Sequence, residues 1–173
     1  MIREMTASEK VFCNKLRARG LKVDIYTSHE AAQYIDHYDF VVNGQQVEFK
    51  EMKSVNRNRP KQQCDRQAVE HQAVHSPTGE RNRLGWIHGT AKWIVFEEPD
   101  GYLWVLRAEL EQLVADVDWH SFTTDGDYSQ DYKAFRRITN GDDRDDLFCY
   151  VQRADIIALS GTKKMLDNAA ASA

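Results

Sequence analysis

The sequence predicts an α/β (α+β) fold with a mixed central sheet flanked by helices. Residues 6–19 have helical spacing, whereas residues 39–50 and the residues on both sides of 99–101 have the apolar patterns of strands. The chain of 173 residues has no internal repeat or clear linker, which favours a single domain. We expect this domain to cover residues 1–160 and a flexible C-terminal tail to cover residues 161–173.

The chain begins with a predicted helix and a short strand. Thr6 and Glu9 have the spacing of a capping box, and Gly20 is a suitable stop, so residues 6–19 are predicted to be helical. Residues 22–26 alternate between polar and apolar types and therefore predict a strand.

Residues 39–50 predict a tight β-hairpin. Asn43 and Gly44 lie between two apolar-rich runs, and both residue types accept the positive φ that a two-residue turn requires. Because side chains alternate between the two faces of a strand, one face of the hairpin is predicted to join the core. That face comprises Phe40, Val42, Val47 and Phe49.

The opposite face of the hairpin carries two acids and a lysine. In the predicted register Asp39 lies directly opposite Glu48, with Cβ atoms about 5 Å apart, and Lys50 follows on the same face. Two like charges this close repel each other unless a cation neutralises them. Because carboxylate oxygens suit Mg²⁺ or Mn²⁺, the hairpin predicts a divalent-cation site. The alternative is a solvent-facing surface on which each acid pairs with a nearby Lys or Arg.

The remaining elements follow the hairpin. We predict a mobile basic loop at 54–62, a helix at 63–75, strands at 91–96 and 102–107, an amphipathic helix at 108–117 and a last strand at 147–151. Residues 120–146 are polar and acidic and predict no element.

Basic residues are concentrated in the middle of an acidic chain. The whole chain has a net charge of −4, whereas residues 50–92 contain nine Lys or Arg and four Asp or Glu. This distribution favours a local anion-binding surface, and a solvated basic loop is the alternative. The candidates for binding an anion in the predicted loop are Lys53, Arg57, Arg59 and Lys61.

Cysteine usage and hydropathy bear on the cellular compartment. Cys13, Cys64 and Cys149 are odd in number and far apart, which favours free thiols in a reducing cytoplasm. No apolar run approaches the roughly 18 residues of a membrane span, and the first residues lack a signal-peptide pattern. We therefore expect a cytoplasmic protein without a membrane partner.

Several other residues carry weaker signals. His71 and His75 could share a helical face with Cys64 upstream, but these three rarely make a complete zinc site, so the histidines are expected to face solvent or phosphates. Gln67 could touch the site, although a solvent-facing position is the commoner alternative. Trp86 is the best candidate for base stacking among four tryptophans that would ordinarily be core or interface residues.

The spacing of the hairpin acids resembles a known nuclease signature. Asp39, followed after eight residues by Glu48, Phe49 and Lys50, resembles the Asp…Glu-x-Lys motif of the PD-(D/E)XK nuclease superfamily. The predicted order over residues 6–97 is also similar, with a helix, a short strand, a hairpin bearing the acids, a helix and another strand. The resemblance implies a restriction-endonuclease-like core.

The same resemblance implies a Mg²⁺- or Mn²⁺-dependent enzyme that hydrolyses DNA phosphodiester bonds. Asp39, Glu48 and the Phe49 carbonyl would bind the metal, and Lys50 would orient the attacking water or stabilise developing charge. Glu9 matches the position from which the family often supplies another carboxylate. Alternatively, Glu9 only completes the capping box of the first helix.

The leading helix resembles that of Holliday-junction resolvases and phage-type endonuclease I. This implies a structure-selective or nonspecific DNA endonuclease, a homodimer, and a phage or mobile-element origin with activity in the host cytoplasm. Tyr38 stands where the family name has proline, and nothing after residue 97 matches the family pattern. Restriction-type or exonuclease activity is the nearest rival among enzymes. From another class, the alternative is a noncatalytic nucleic-acid-binding or protein-inhibiting module.

Overall fold

The computed structural model describes six ranges of the chain, which contain three α-helices and eleven strands. The ranges are residues 4–26, 36–52, 65–73, 83–124, 129–139 and 144–166. The elements are α1 (Ala7–Ala18), β1 (Val23–Ile25), β2 (Phe40–Val42), β3 (Gln45–Lys50), β4 (Arg66–Ala73), β5 (Arg83–Leu84), a 3-10 helix (Trp86–His88), β6 (Trp93–Glu98), β7 (Gly101–Leu106), α2 (Arg107–Leu113), β8 (Phe122–Thr123), β9 (Ala134–Thr139), β10 (Arg144–Gln152), α3 (Arg153–Ala158) and β11 (Lys163–Leu166).

The strands form two mixed sheets. The first sheet has the order β1-β2-β3-β6-β7-β11, and the second has the order β5-β4-β10-β9-β8. Strand β3 is parallel to β6 and β8 is parallel to β9, whereas the other pairs are antiparallel. The α+β class is confirmed. The sequence predicted a mixed central sheet flanked by helices, and the structure has two mixed sheets.

Helix α1 begins with the predicted capping box. The Thr6 hydroxyl accepts a hydrogen bond from the Glu9 amide at 3.2 Å, and the Glu9 carboxylate accepts one from the Thr6 amide at 2.7 Å. Gly20 follows the helix with a φ of +78°, a conformation that favours glycine. The helix buries Phe12 and Leu16 completely, so its apolar stripe faces the first sheet.

The predicted hairpin register is confirmed over three pairs. Phe40 pairs with Val47, and the turn at Asn43 and Gly44 has φ angles of 47° and 80°. These left-handed conformations explain why the turn requires Asn and Gly. The predicted apolar face is buried against α1 and comprises Phe40, Val42, Val47 and Phe49.

The helix predicted at residues 63–75 is wrong for residues 66–73, which form β4. The sequence there is rich in good helix formers, but β4 pairs with β10 on one side and with β5 on the other. Val69 is completely buried in the core. Pairing and burial therefore outweigh the local helix propensity. The basic loop predicted at residues 54–62 lies outside the described residues.

The C-terminal half agrees with the predictions in part. The strands predicted at 91–96 and 102–107 correspond to β6 and β7, and the helix predicted at 108–117 corresponds to α2. The unassigned segment at 120–146 contains β8 and β9. The last strand predicted at 147–151 lies within β10, but α3 and β11 follow it. The tail predicted at 161–173 begins too early, because residues 163–166 form β11 and pair with β7. Residues 167–173 lie outside the described ranges.

The first sheet lies between two apolar layers. On one face, a cluster centred on Phe12 packs α1 against β2, β3 and Tyr102 of β7. On the other face, Ile94 and Phe96 of β6 pack against Val69 and Cys149 of the second sheet. Residues of β3 therefore alternate between the α1 side and the side of the second sheet. None of the helices in the described ranges is both long and apolar enough to cross a bilayer.

Candidate active site

The candidate site lies on the face of β3 that is turned away from α1. Val47 and Phe49 contribute to the apolar cluster under α1, so the alternate residues Glu48 and Lys50 face the second sheet. Asp39 comes directly before β2, at the edge of the same hairpin. The structure therefore brings the three sequence-predicted residues to one region.

Asp39 is held against the backbone of β3. Its amide donates to the Val47 carbonyl at 2.9 Å, and its Oδ2 accepts from the Phe49 amide at 2.8 Å. The regular ladder of the hairpin ends at the pair of Phe40 and Val47. The direct cross-strand pair predicted for Asp39 and Glu48 is therefore absent from the ladder. The Asp39 carboxylate instead accepts a hydrogen bond from the backbone amide of Phe49 in β3.

Both acids are buried, and their charges interact. Asp39 is 3% exposed and Glu48 is 7% exposed. Burial first, and then the charge of Asp39, raise the pKa of Glu48 to about 7, against a smaller lowering effect of Lys50. The solvent-facing part of the alternative is wrong, since two carboxylates with so little exposure have lost most of their hydration. The pairing of an acid with a nearby lysine holds for Glu48 and Lys50.

Lys50 contacts both Glu48 and the ring of Trp86. Its ammonium lies 2.5 Å from Oε1 of Glu48 and 4.6 Å from the centre of the Trp86 ring. An ammonium over an indole face is stabilised by the ring quadrupole. Trp86 belongs to the 3-10 helix and is 5% exposed, so its ordinary role as a core residue is confirmed and its predicted role in base stacking is wrong.

Glu9 is buried and belongs to the capping box of α1. It is 2% exposed, and both it and Asp39 act electrostatically on the same thiol, that of Cys13. Burial is the main cause that raises the pKa of this thiol to about 11, and the two acids add to the effect. The capping interpretation of Glu9 is thus confirmed, whereas its role as a metal ligand stays a prediction.

A further acid near the site was not predicted from the sequence. Glu70 on β4 contributes to the raised pKa of Glu48. It was missed because its segment was predicted to be helical. Glu97 on β6 accepts a hydrogen bond from the Met52 amide at 3.0 Å, but it follows Phe96 along the strand and therefore lies with Val95 on the α1 side of the sheet.

Other predicted residues are placed elsewhere or lie outside the described ranges. Gln67 and His71 lie on β4, so the helical face predicted for two histidines is wrong. The His71 ring stacks on Trp119 at 4.3 Å, and its Nδ1 lies 2.8 Å from Nε2 of His88. The residues outside the described ranges are Lys53, Arg57, Arg59, Lys61, Cys64 and His75.

The donor set fits a hard cation, although the protein ligands are few. Among the described residues, no three His, Cys, Asp or Glu side chains form a group that could hold a metal ion. Mg²⁺ commonly binds through one or two carboxylates and retains several waters, so Asp39 and Glu48 suffice in number. A cation would also relieve the repulsion between these two buried acids.

Comparison of the chain with protein-family models, with curated proteins and with solved structures finds no match. The basis for assigning a function is therefore the geometry of Asp39, Glu48 and Lys50. These residues place two buried carboxylates and one ammonium on a single hairpin.

Proposed function

We propose that this protein is a Mg²⁺-dependent, or Mn²⁺-dependent, endonuclease that hydrolyses phosphodiester bonds in DNA. The observation that carries the proposal is the buried pair of Asp39 and Glu48 with the Lys50 ammonium 2.5 Å from Glu48. Burying two like charges that repel each other is unfavourable for stability alone, and such arrangements concentrate at functional sites.

The element order supports the proposed restriction-endonuclease-like core. Helix α1, strand β1, the β2–β3 hairpin and strand β6 follow the order that the resemblance to PD-(D/E)XK nucleases implies. The departure lies between β3 and β6. The resemblance implies a helix there, whereas the described residues of this segment form β4, β5 and the 3-10 helix.

The chain's own residues have distinct roles in the proposed reaction. Asp39, Glu48 and the Phe49 carbonyl would hold the metal, which when bound supplies Lewis-acid polarisation of the scissile phosphate. Lys50 would leave Glu48 to stabilise the negative charge that develops on the phosphate oxygens. Glu9 would add a carboxylate only if it left the capping box.

The proposed substrate contacts lie on the basic segment after the hairpin. Phosphate contacts from this segment would give affinity that falls with added salt and carries little sequence information. The candidates are Lys53, Arg57, Arg59 and Lys61. We propose branched DNA as the preferred substrate and a homodimer as the active form, both on the resemblance to junction resolvases.

One observation favours a second candidate, a noncatalytic nucleic-acid-binding or protein-inhibiting module. Lys50 is paired with Glu48, and the described residues contain no group of three or more metal-binding side chains. A lysine ammonium could therefore be the permanent partner of Glu48. The two candidates differ in one measurable property, which is cleavage in the presence of a divalent cation.

Cleavage assays with matched variants test the proposal. Wild type, Lys50→Ala and Lys10→Ala are incubated with Mg²⁺ and a four-way junction, linear duplex, single-stranded DNA and duplex RNA. Lys10 lies on the exposed side of α1, so its variant controls for the loss of one positive charge. We expect cleavage by wild type and Lys10→Ala, and a loss of about 100-fold in Lys50→Ala, as when one transition-state donor is removed.

Binding measurements separate the two candidates. Titration calorimetry with Mg²⁺ should detect binding to wild type and weaker binding to Asp39→Asn, which removes one negative oxygen ligand. Nucleic-acid binding by wild type without any cleavage would establish the noncatalytic module instead. Equal cleavage by wild type and Lys50→Ala would remove Lys50 from the mechanism.

A further inference from the structure

A second concave site lies on the opposite face of the first sheet. This cavity of about 270 Å³ opens beside the β2–β3 turn. Its lining residues are Leu21, Val42, Asn43, Gln45, Val47, Trp93, Trp104 and Lys163. Val47 belongs to the α1 side of β3, whereas Glu48 faces the second sheet. The cavity is therefore separate from the candidate active site.

Two indole rings form the aromatic wall of this cavity. Trp93 and Trp104 are neighbours across β6 and β7, both are partly exposed, and their ring centres lie 6.1 Å apart at an angle of 75°. The indole nitrogen of Trp93 donates to Oε1 of Gln45 at 2.7 Å. This bond holds one ring in place and leaves the NH₂ group of the same amide as a donor for a ligand.

Two lysine ammonium groups lie over the Trp93 ring, which lines the cavity, and one of them belongs to the lining residue Lys163. The ammonium of Lys163 lies 5.2 Å from the centre of the Trp93 ring, and that of Lys92 lies 5.9 Å from it. Both side chains are exposed. An aromatic platform with flanking ammonium groups is the combination by which proteins bind single-stranded nucleic acid, because bases stack and phosphates pair with the cations.

We infer that this cavity binds an unpaired nucleobase of a nucleic acid, which displaces a lysine ammonium group from the face of the Trp93 indole and stacks there, with its flanking phosphates beside Lys92 and Lys163. The volume is below the range of typical cavities for drug-sized ligands and suits one planar ring system. The amide groups of Asn43 and Gln45 supply hydrogen bonds to the base edge. The inference rests on the proposed function for nucleic acid as the ligand class, but it does not require cleavage.

Anisotropy measurements with a fluorescein-labelled oligothymidylate test the inference. They are made in EDTA, so cleavage cannot contribute, and an abasic oligonucleotide with the same number of phosphates is measured in parallel. Wild type should bind the oligothymidylate about tenfold more tightly than the abasic strand, which corresponds to one stacked base. Trp93→Leu should remove this difference.

Further variants separate stacking from charge and from misfolding. Gln45→Ala, at an exposed position, releases the Trp93 indole and should weaken oligothymidylate binding about threefold without affecting the abasic strand. Lys163→Glu should weaken both strands several-fold, whereas Lys10→Glu, with the same charge change on α1, should affect neither. Circular dichroism checks that each variant is folded. If Trp93→Leu does not fold, the oligothymidylate affinity of Gln45→Ala tests the stacking on Trp93 instead.

Equal affinity of folded wild type for the two strands would overturn the inference. A competition experiment gives a second such outcome. If a neutral oligosaccharide displaces the labelled oligothymidylate at a lower concentration than unlabelled oligothymidylate does, the inference is overturned and the cavity is assigned to a carbohydrate. Failure here is distinguishable from failure of the proposed function. Cleavage without base-dependent binding would refute only the proposal that the cavity binds a nucleobase. Base-dependent binding without cleavage would refute only the proposal that the protein is a nuclease.

Discussion

At Glu48, burial and a neighbouring acid oppose ionisation, and a single lysine favours it. Glu48 is 7% exposed, and the charge of Asp39 adds to the effect of burial in raising its pKa. The ammonium of Lys50 at 2.5 Å offsets part of this effect. The protonation state of Glu48 without metal is thus sensitive to pH near neutrality, which leads to a measurable effect on stability.

We expect the metal-free wild type to lose stability relative to Glu48→Gln as the pH rises from about 4.5 to about 7. The pKa of Glu48 is raised from 4.5 to about 7 in the folded state, so the folded state binds the proton more tightly than the unfolded state. This stabilisation is complete below the unfolded pKa and is lost as the pH rises through the folded pKa. The total change corresponds to about 3 kcal/mol.

Denaturant unfolding of both proteins in EDTA across this pH range measures the difference. Glu48→Gln is the matched control, because it keeps the shape of the side chain and cannot ionise. Titrating groups that do not interact with Glu48 contribute equally to both proteins and cancel in the comparison. A free-energy difference that stays constant with pH would show that Glu48 has the same pKa in the folded and unfolded states and would contradict this prediction.

The β2–β3 hairpin is the element that positions the site. The main-chain amide of Asn43 donates to the Lys22 carbonyl, and its side-chain oxygen accepts from the Lys22 amide, both at 2.9 Å. These two bonds connect the turn to the residue before β1. A slip of one residue in the register would transfer Glu48 to the α1 face, so the turn indirectly controls which side of the sheet carries the acids.

We expect Gly44→Ala to lower the free energy of unfolding by about 1 kcal/mol and Gly44→Asn to lower it by less. Gly44 has a φ of +80°, and a Cβ atom added there would meet nothing within 4 Å. The effect is therefore purely conformational, and asparagine tolerates left-handed angles better than alanine does. Denaturant unfolding of the three proteins measures it, and equal losses in both variants would contradict the conformational explanation.

At the scale of the whole molecule, a buried ion pair joins the two sheets. Glu98 ends β6 of the first sheet, and Arg153 begins α3 directly after β10 of the second sheet. The Arg153 guanidinium makes two hydrogen bonds to the carboxylate, one of them between Nη2 and Oε2 at 2.6 Å. The Glu98 side chain is 1% exposed, with the ammonium of Lys164 3.9 Å away.

We expect Arg153→Met to destabilise the protein by about 3 kcal/mol, since it leaves the Glu98 carboxylate buried without its main partner. Adding Glu98→Gln to this variant should restore part of the loss because the uncompensated charge is removed. Lys22→Met is the control, because its contact with Asp24 is largely exposed and should contribute less than about 1 kcal/mol. Similar losses in Arg153→Met and Lys22→Met, measured by denaturant unfolding, would contradict this account.

The sequence by itself determined the features that depend on residues a few positions apart. The capping box of Thr6 and Glu9 and the turn at Asn43 and Gly44 were predicted correctly, because hydrogen bonds and φ preferences over short separations decide them. The alternation of apolar side chains in the hairpin also predicted its buried face, since neighbouring positions of a strand always point to opposite sides.

Only the tertiary structure decided the features that depend on distant segments. The strand β4 overrides a helix-favouring sequence because it gains hydrogen-bonded partners on both sides from segments far along the chain. The burial of Asp39 and Glu48, and the position of Trp86 beneath Lys50, follow from the second sheet and the 3-10 helix covering that face. No local pattern encodes these contacts, because they exist only when the two sheets pack against each other.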